Sequence, residues 1–239
     1  MKRTYNRSQK SKIRKTNNSI PEWAIGFLNE NSQYASSFIL GDLGKMDRRH
    51  RSVLKKCAVR VLADQRLRRD EKLRSGAVRL IVALLPEVFP ILEKLLSDFS
   101  MSLWYEVHFT AFSALDRSDL SKSDQKQVLA LVERYLVNAK SEAGFAAWKA
   151  GDILGDEWFA PETVEILERL LSSARYVAGR NAALHGIQHA MNGATPSEKK
   201  RLRSLVRKVA SKDRSSEVRD YATYTLTDGG CYKEPGERK

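Results

Sequence analysis

Long apolar runs are missing from this sequence, and no stretch of eighteen or more apolar residues occurs, so no membrane span is expected. The first residues, Met1 to Asn18, are basic but are not followed by an apolar segment. That argues against a secretory signal peptide. Cysteine is scarce: Cys57 and Cys231 are the two in the chain, and they are far apart. No disulfide framework follows from them, so a reducing compartment and a cytoplasmic location are the default expectation. Proline and glycine are also sparse, at 6 and 13 in 239 residues, which suits long helices with short connections. Period-two strand patterns of useful length are lacking. So are a Gly-rich phosphate loop, the metal-ligand spacings and a Gly-x-Ser-x-Gly nucleophile motif. These absences disfavour most enzyme classes and imply no cofactor.

Basic charge is abundant and unevenly placed. Net charge is +13. Residues 1 to 80 hold 20 Lys+Arg against 7 Asp+Glu, residues 81 to 193 hold 10 against 15, and residues 194 to 239 hold 12 against 7. Basic ends and an acidic middle point to an acidic protein or a polyanion as partner.

Met1 to Ser19 carries seven basic residues with Ser and Asn between them and almost nothing to bury. It is expected to be a disordered arm. A helix is expected from Pro21, capped by Ser19, then a connection around Gly41 to Asp47 and a helix from about Arg49 to Gln65. Beyond that the pattern repeats. Leu73-Arg74, Val107-His108, Ala146-Ala147, Gly179-Arg180 and Val218-Arg219 are each followed by a small residue. The aligned alanines are Ala77, Ala111, Ala150, Ala183 and Ala222, spaced 34, 39, 33 and 39 residues apart. Amphipathic helices at roughly 86–98, 122–138, 161–172 and 196–211 alternate with these segments. Ser121, Pro161 and Thr195-Pro196-Ser197-Glu198 mark their starts, the last as a capping box.

These segments resemble HEAT repeats, whose second helix reads Val-Arg-x-x-Ala-x-x-Ala-Leu-Gly. Val218-Arg219-Asp220-Tyr221-Ala222 and Ala150-Gly151-Asp152-Ile153-Leu154-Gly155 carry the likeness, which covers about residues 49 to 228. It implies an all-α fold, a right-handed α-α superhelix or solenoid of about five HEAT-like (armadillo-type) helical hairpins. The expected organisation is a basic arm at 1–19, the solenoid at 20–228 and a flexible tail at 229–239. A hairpin cannot bury its apolar face alone, and stacked neighbours share one core. The resemblance also implies that Arg74, Arg180 and Arg219 pair with carboxylates of the same or an adjacent repeat, with Asp152 and Asp220 as expected acceptors.

The chain is therefore expected to be a non-catalytic scaffold or adaptor, binding a protein partner through a curved, partly basic surface. A nucleic-acid backbone is the alternative partner. The binding candidates are Arg48, Arg49, Lys55, Lys56 and Arg60, then Arg66, Arg68, Arg69 and Lys72, with a later cluster of Lys199, Lys200, Arg203 and Arg207. Such charges neutralise phosphates in a salt-sensitive way. Trp148 and Asp152, four apart, resemble the tryptophan and aspartate of HEAT-like alkylpurine DNA glycosylases, and that enzyme is the less favoured variant. His185 and His189 can share a helix face, but zinc needs further ligands. The intervening Gly186-Ile187-Gln188 lacks the metalloprotease glutamate, so no metal is expected there.

Overall fold

The computed structural model describes residues 20–34, 36–115, 120–140 and 143–227. The expected N-terminal arm and C-terminal tail lie outside the described residues, as does Cys231. Among the described residues there is no strand. Thirteen helices are described: α1 (Glu22–Glu30), α2 (Ser36–Gly44), α3 (Arg48–Ala63), α4 (Gln65–Arg68), α5 (Glu71–Ala83), α6 (Phe89–Ser97), α7 (Trp104–Ala114), α8 (Lys122–Asn138), α9 (Gly144–Asp152), α10 (Pro161–Ser173), α11 (Val177–Gly193), α12 (Pro196–Lys212) and α13 (Ser216–Thr227). A π-helical turn, Ile153–Glu157, extends α9.

Two departures from expectation are local. Gly41 to Gly44 belongs to α2 rather than to a connection, because Ile39 and Leu43 give that stretch a buried face. The short α4 forms because the Asp64 side chain accepts from the Arg66 and Leu67 amides. The first helix starts at Glu22 with Pro21 as its N-cap and no side-chain cap, and Ser19 lies outside the described residues, whereas two later helix starts act as expected. Ser121 Oγ accepts from the Asp124 amide at 3.2 Å. Thr195 and Glu198 cap each other reciprocally, with Pro196 opening α12.

The helices form two rows. In the first, α1 packs on α5, α5 on α7, α7 on α9, α9 on α11 and α11 on α13. In the second, α6 packs on α8, α8 on α10 and α10 on α12, while α3 covers α5. All five aligned alanines lie in the first row and are fully buried. Glycine sets the closest approaches. A Cβ on Gly76 would meet the Leu28 carbonyl oxygen at 1.8 Å, and one on Gly151 would meet that of Ala182 at 2.4 Å. Only the missing side chain lets these helices touch backbone to backbone. Leucine, isoleucine and Trp158 fill the space between the rows, each fully buried side chain contributing about 1.5–3 kcal/mol.

The repeated arginines are structural, as expected, but their acceptors differ. Arg74, Arg180 and Arg219 each send Nη1 to the carbonyl six residues earlier, on Arg68 (2.8 Å), Ala174 (3.0 Å) and Asp213 (2.7 Å). Arg74 also pairs with Glu106, and Arg180 with Asp213 at 2.9 Å. Asp152 and Asp220 are not these acceptors. Glu106 stands at the start of α7, the next first-row helix, and Asp213 is the C-cap of α12, just before α13. In the second row, Arg134–Glu93 (2.7 Å) and Arg169–Glu133 (2.8 Å) tie consecutive helices, and Arg201–Glu168 continues the series. These pairs are partly exposed, and Arg134–Glu93 and Arg169–Glu133 contribute roughly 0–1 kcal/mol each.

Candidate functional site

The close contact between α9 and α11 builds the most chemically distinctive cluster. Gly151 and Gly155 on one side and Gly186 on the other remove the side chains that would hold the two helices apart. Asp152 lies two residues beyond Ala150, and His185 two residues beyond Ala183. Equivalent positions on successive packed helices become neighbours, so the two side chains meet. His185 Nε2 stands 2.7 Å from Asp152 Oδ1, and His189 Nε2 stands 3.5 Å from the same oxygen. Lys149 Nζ is 3.8 Å from Asp152 Oδ2. Asp152 Oδ1 is shielded from solvent. Burial opposes ionisation of Asp152, but contact with His185 and the charges of Lys149 and His189 outweigh it. The carboxyl stays below its ordinary range.

Aromatic rings wall this cluster. The Trp148 ring lies 4.3 Å from that of His185 and 5.8 Å from that of Tyr221, and Tyr221 stacks on Tyr224 at 6.1 Å. The Tyr221 hydroxyl donates to Gln188 Oε1 at 3.2 Å. Burial, reinforced by Tyr224 and Asp152, pushes that hydroxyl up to about 12. Immediately after Asp152 the helix widens into the π turn, a local irregularity often found at functional positions.

The aromatic surface continues along the first row. Tyr105 and Phe109 on α7 and Phe145 on α9 line a groove of about 490 Å³, together with Glu71, Ser75 and Thr110. Phe145 is 84% exposed and Trp148 is 41% exposed. Among the described residues, no exposed aromatic lies on α3, α6, α8, α10 or α12. Phe109 and Trp148 both sit two residues before the aligned alanine of their helix. That shared position could have revealed this face from the sequence.

The basic candidates are placed differently. Arg68 is buried and holds structure: it donates to the carbonyls of Leu62 and Ser102 and to Ser102 Oγ. It is not a surface contact for a partner, because the short α4 turns its guanidinium inward toward the segment before α7. Lys55 pairs with Glu87 at 2.8 Å. Arg48, Arg49 and Lys56 are exposed on α3, with Arg60 half-buried. Arg66, Arg69 and Lys72 are exposed around α4 and the start of α5. Lys200 and Arg207 are exposed on α12, with Lys199 and Arg203 half-buried there. Most of the basic candidates thus lie off the first-row helices that carry the aromatic groove.

No family model, curated protein or solved structure matches this chain significantly.

Proposed function

We propose that this chain is a non-catalytic HEAT-like scaffold, a right-handed superhelix of about five helical hairpins, that binds a protein partner on the exposed face of its first helix row. The observation that carries this reading is the set of exposed rings, Tyr105, Phe109 and Phe145, that line the groove between α5, α7 and α9. Aromatic residues in such a depression are the usual anchors of protein interfaces, because a large ring gains much area at little entropic cost. A nucleic-acid groove needs rings and cations interleaved to track a backbone. Here the exposed basic residues of α3 and α12 stand on other helices than the rings. They suit the long-range attraction of an acidic protein toward a chain of net charge +13.

Two binding measurements test this reading. The full chain and a Tyr105→Ala/Phe109→Ala/Phe145→Ala variant are used for crosslinked affinity capture from the native host. Both are also titrated against labelled duplex DNA, single-stranded DNA and RNA across a salt series. The scaffold reading expects a saturable protein complex that the triple variant loses, and only weak nucleic-acid binding. Submicromolar nucleic-acid binding with a steep salt slope, weakened by charge reversal at Arg66 and Arg69, would replace it with the nucleic-acid module.

A further inference from the structure

Asp152, His185 and His189 bring three metal-ligating side chains together, all with ligand atoms within 4.8 Å of one another. We infer that they form an open binding site for one late first-row divalent cation, of the zinc type, with water completing the coordination shell. The inference does not depend on the scaffold reading.

The sequence supplies two of the ligands, too few on their own to read as a metal motif. His185 and His189 are four apart on α11, so both imidazoles project from one helix face, the arrangement by which a helix offers two nitrogens to one ion. The third ligand is invisible in the local sequence, because it comes from α9 through the glycine contact. Asp152 Oδ1 faces both Nε2 atoms, at 2.7 and 3.5 Å. Ligand bonds of about 2.0–2.2 Å place tetrahedral donors roughly 3.4 Å apart. Small side-chain rotations bring the three atoms to that spacing.

A shared proton does not account for the cluster as well. A proton on His185 Nε2 can bridge one nitrogen and one oxygen, but it leaves His189 Nε2 beside the same oxygen without a role. One cation engages all three atoms at once. The carboxylate is set to bind through one oxygen, since Oδ2 faces Lys149 at 3.8 Å. The site also has an entry path and a wall. The His189 side chain is 37% exposed, whereas His185 is covered by the Trp148 ring. Two imidazoles and one carboxylate match zinc and its neighbours rather than calcium or magnesium, which prefer all-oxygen shells. Three protein ligands leave one position to solvent, unlike the closed four-ligand structural sites.

Metal titration of the full-length chain, first stripped of metal by a chelator, tests the site with Zn2+ by calorimetry and with Co2+ by visible absorption. The expected result is one ion per chain and a rise in Tm with Zn2+. Bound Co2+ should show d–d bands of nitrogen and oxygen ligation and no thiolate charge-transfer band. His189→Ala, a change at a partly exposed position, should weaken binding on the order of 100-fold or more, beyond the about 10–100-fold typical of losing an outer-shell partner. Its Tm without metal should match the unsubstituted chain. Asp152→Asn should also weaken binding. The site is refuted by no stoichiometric uptake, by uptake unchanged in the folded His189→Ala variant, or by a thiolate band that places the ion on a cysteine.

Discussion

A Cβ added to Gly155 would stand 1.9 Å from the carbonyl oxygen of Gly186. This backbone contact holds α9 against α11 and brings Asp152 to His185. Gly155→Ala should therefore force the helices apart and cost about 1–3 kcal/mol, the usual range for overpacking. Gly26, in the middle of α1, has nothing within 4 Å of an added Cβ. Gly26→Ala should stabilise by about 0.8–1 kcal/mol through helix propensity alone. Urea midpoints of the two variants should move in opposite directions. A neutral Gly155→Ala would show that the α9–α11 contact is not tight.

Arg180 and Asp213 form the most buried ion pair described, with side chains 4% and 7% exposed. Arg180→Ala leaves the largely buried Asp213 carboxylate with the Ser215 amide but no cation, and should cost about 3–5 kcal/mol. The pair Arg169–Glu133 is partly exposed. Removing it should cost about 0.2–1 kcal/mol. Double-mutant cycles on both pairs measure the contrast, and equal coupling energies would contradict it.

His108 is fully buried, with Nε2 2.9 Å from the Leu95 carbonyl oxygen, among Phe99, Trp104 and Tyr135. Burial, partly offset by Leu95 and Asp98, lowers its pKa to about 4, against about 6.5 in an unfolded chain. Between those values the unfolded chain binds the proton and the folded chain does not. This contribution is complete above pH 6.5 and is lost as pH falls toward 4, by about 3 kcal/mol at most. Denaturation curves from pH 7 to pH 4 should show the decline, and His108→Phe should flatten it. An unchanged slope in that variant would assign the decline to other groups.

Phe145 is 84% exposed at the mouth of the first-row groove. Phe145→Ala should leave stability within about 0.5 kcal/mol. The same change should weaken the partner complex by about 2 kcal/mol or more, as expected of a central aromatic anchor. Thermal melts and binding titrations separate the two effects. A large loss of stability would make the ring a packing element instead.

The sequence by itself determined the helices from α5 onward and their alternation. Capping at Ser121 and Thr195 and the apolar period along each segment are interactions within a few residues, so they are written locally. The recurrence of Ala77, Ala111, Ala150, Ala183 and Ala222 also marked the buried row correctly, because each small residue meets the same demand for close approach. Partners across helices were decided by the tertiary structure. Arg180 takes Asp213 and Arg74 takes Glu106, while Asp152 turns to His185 and His189. Which faces meet depends on how near two backbones come, and glycines at 151, 155 and 186 set that distance. The same holds for surface chemistry. A run of arginines reads as one patch in sequence, yet the fold buries Arg68, pairs Lys55 with Glu87 and leaves the exposed rings on another row.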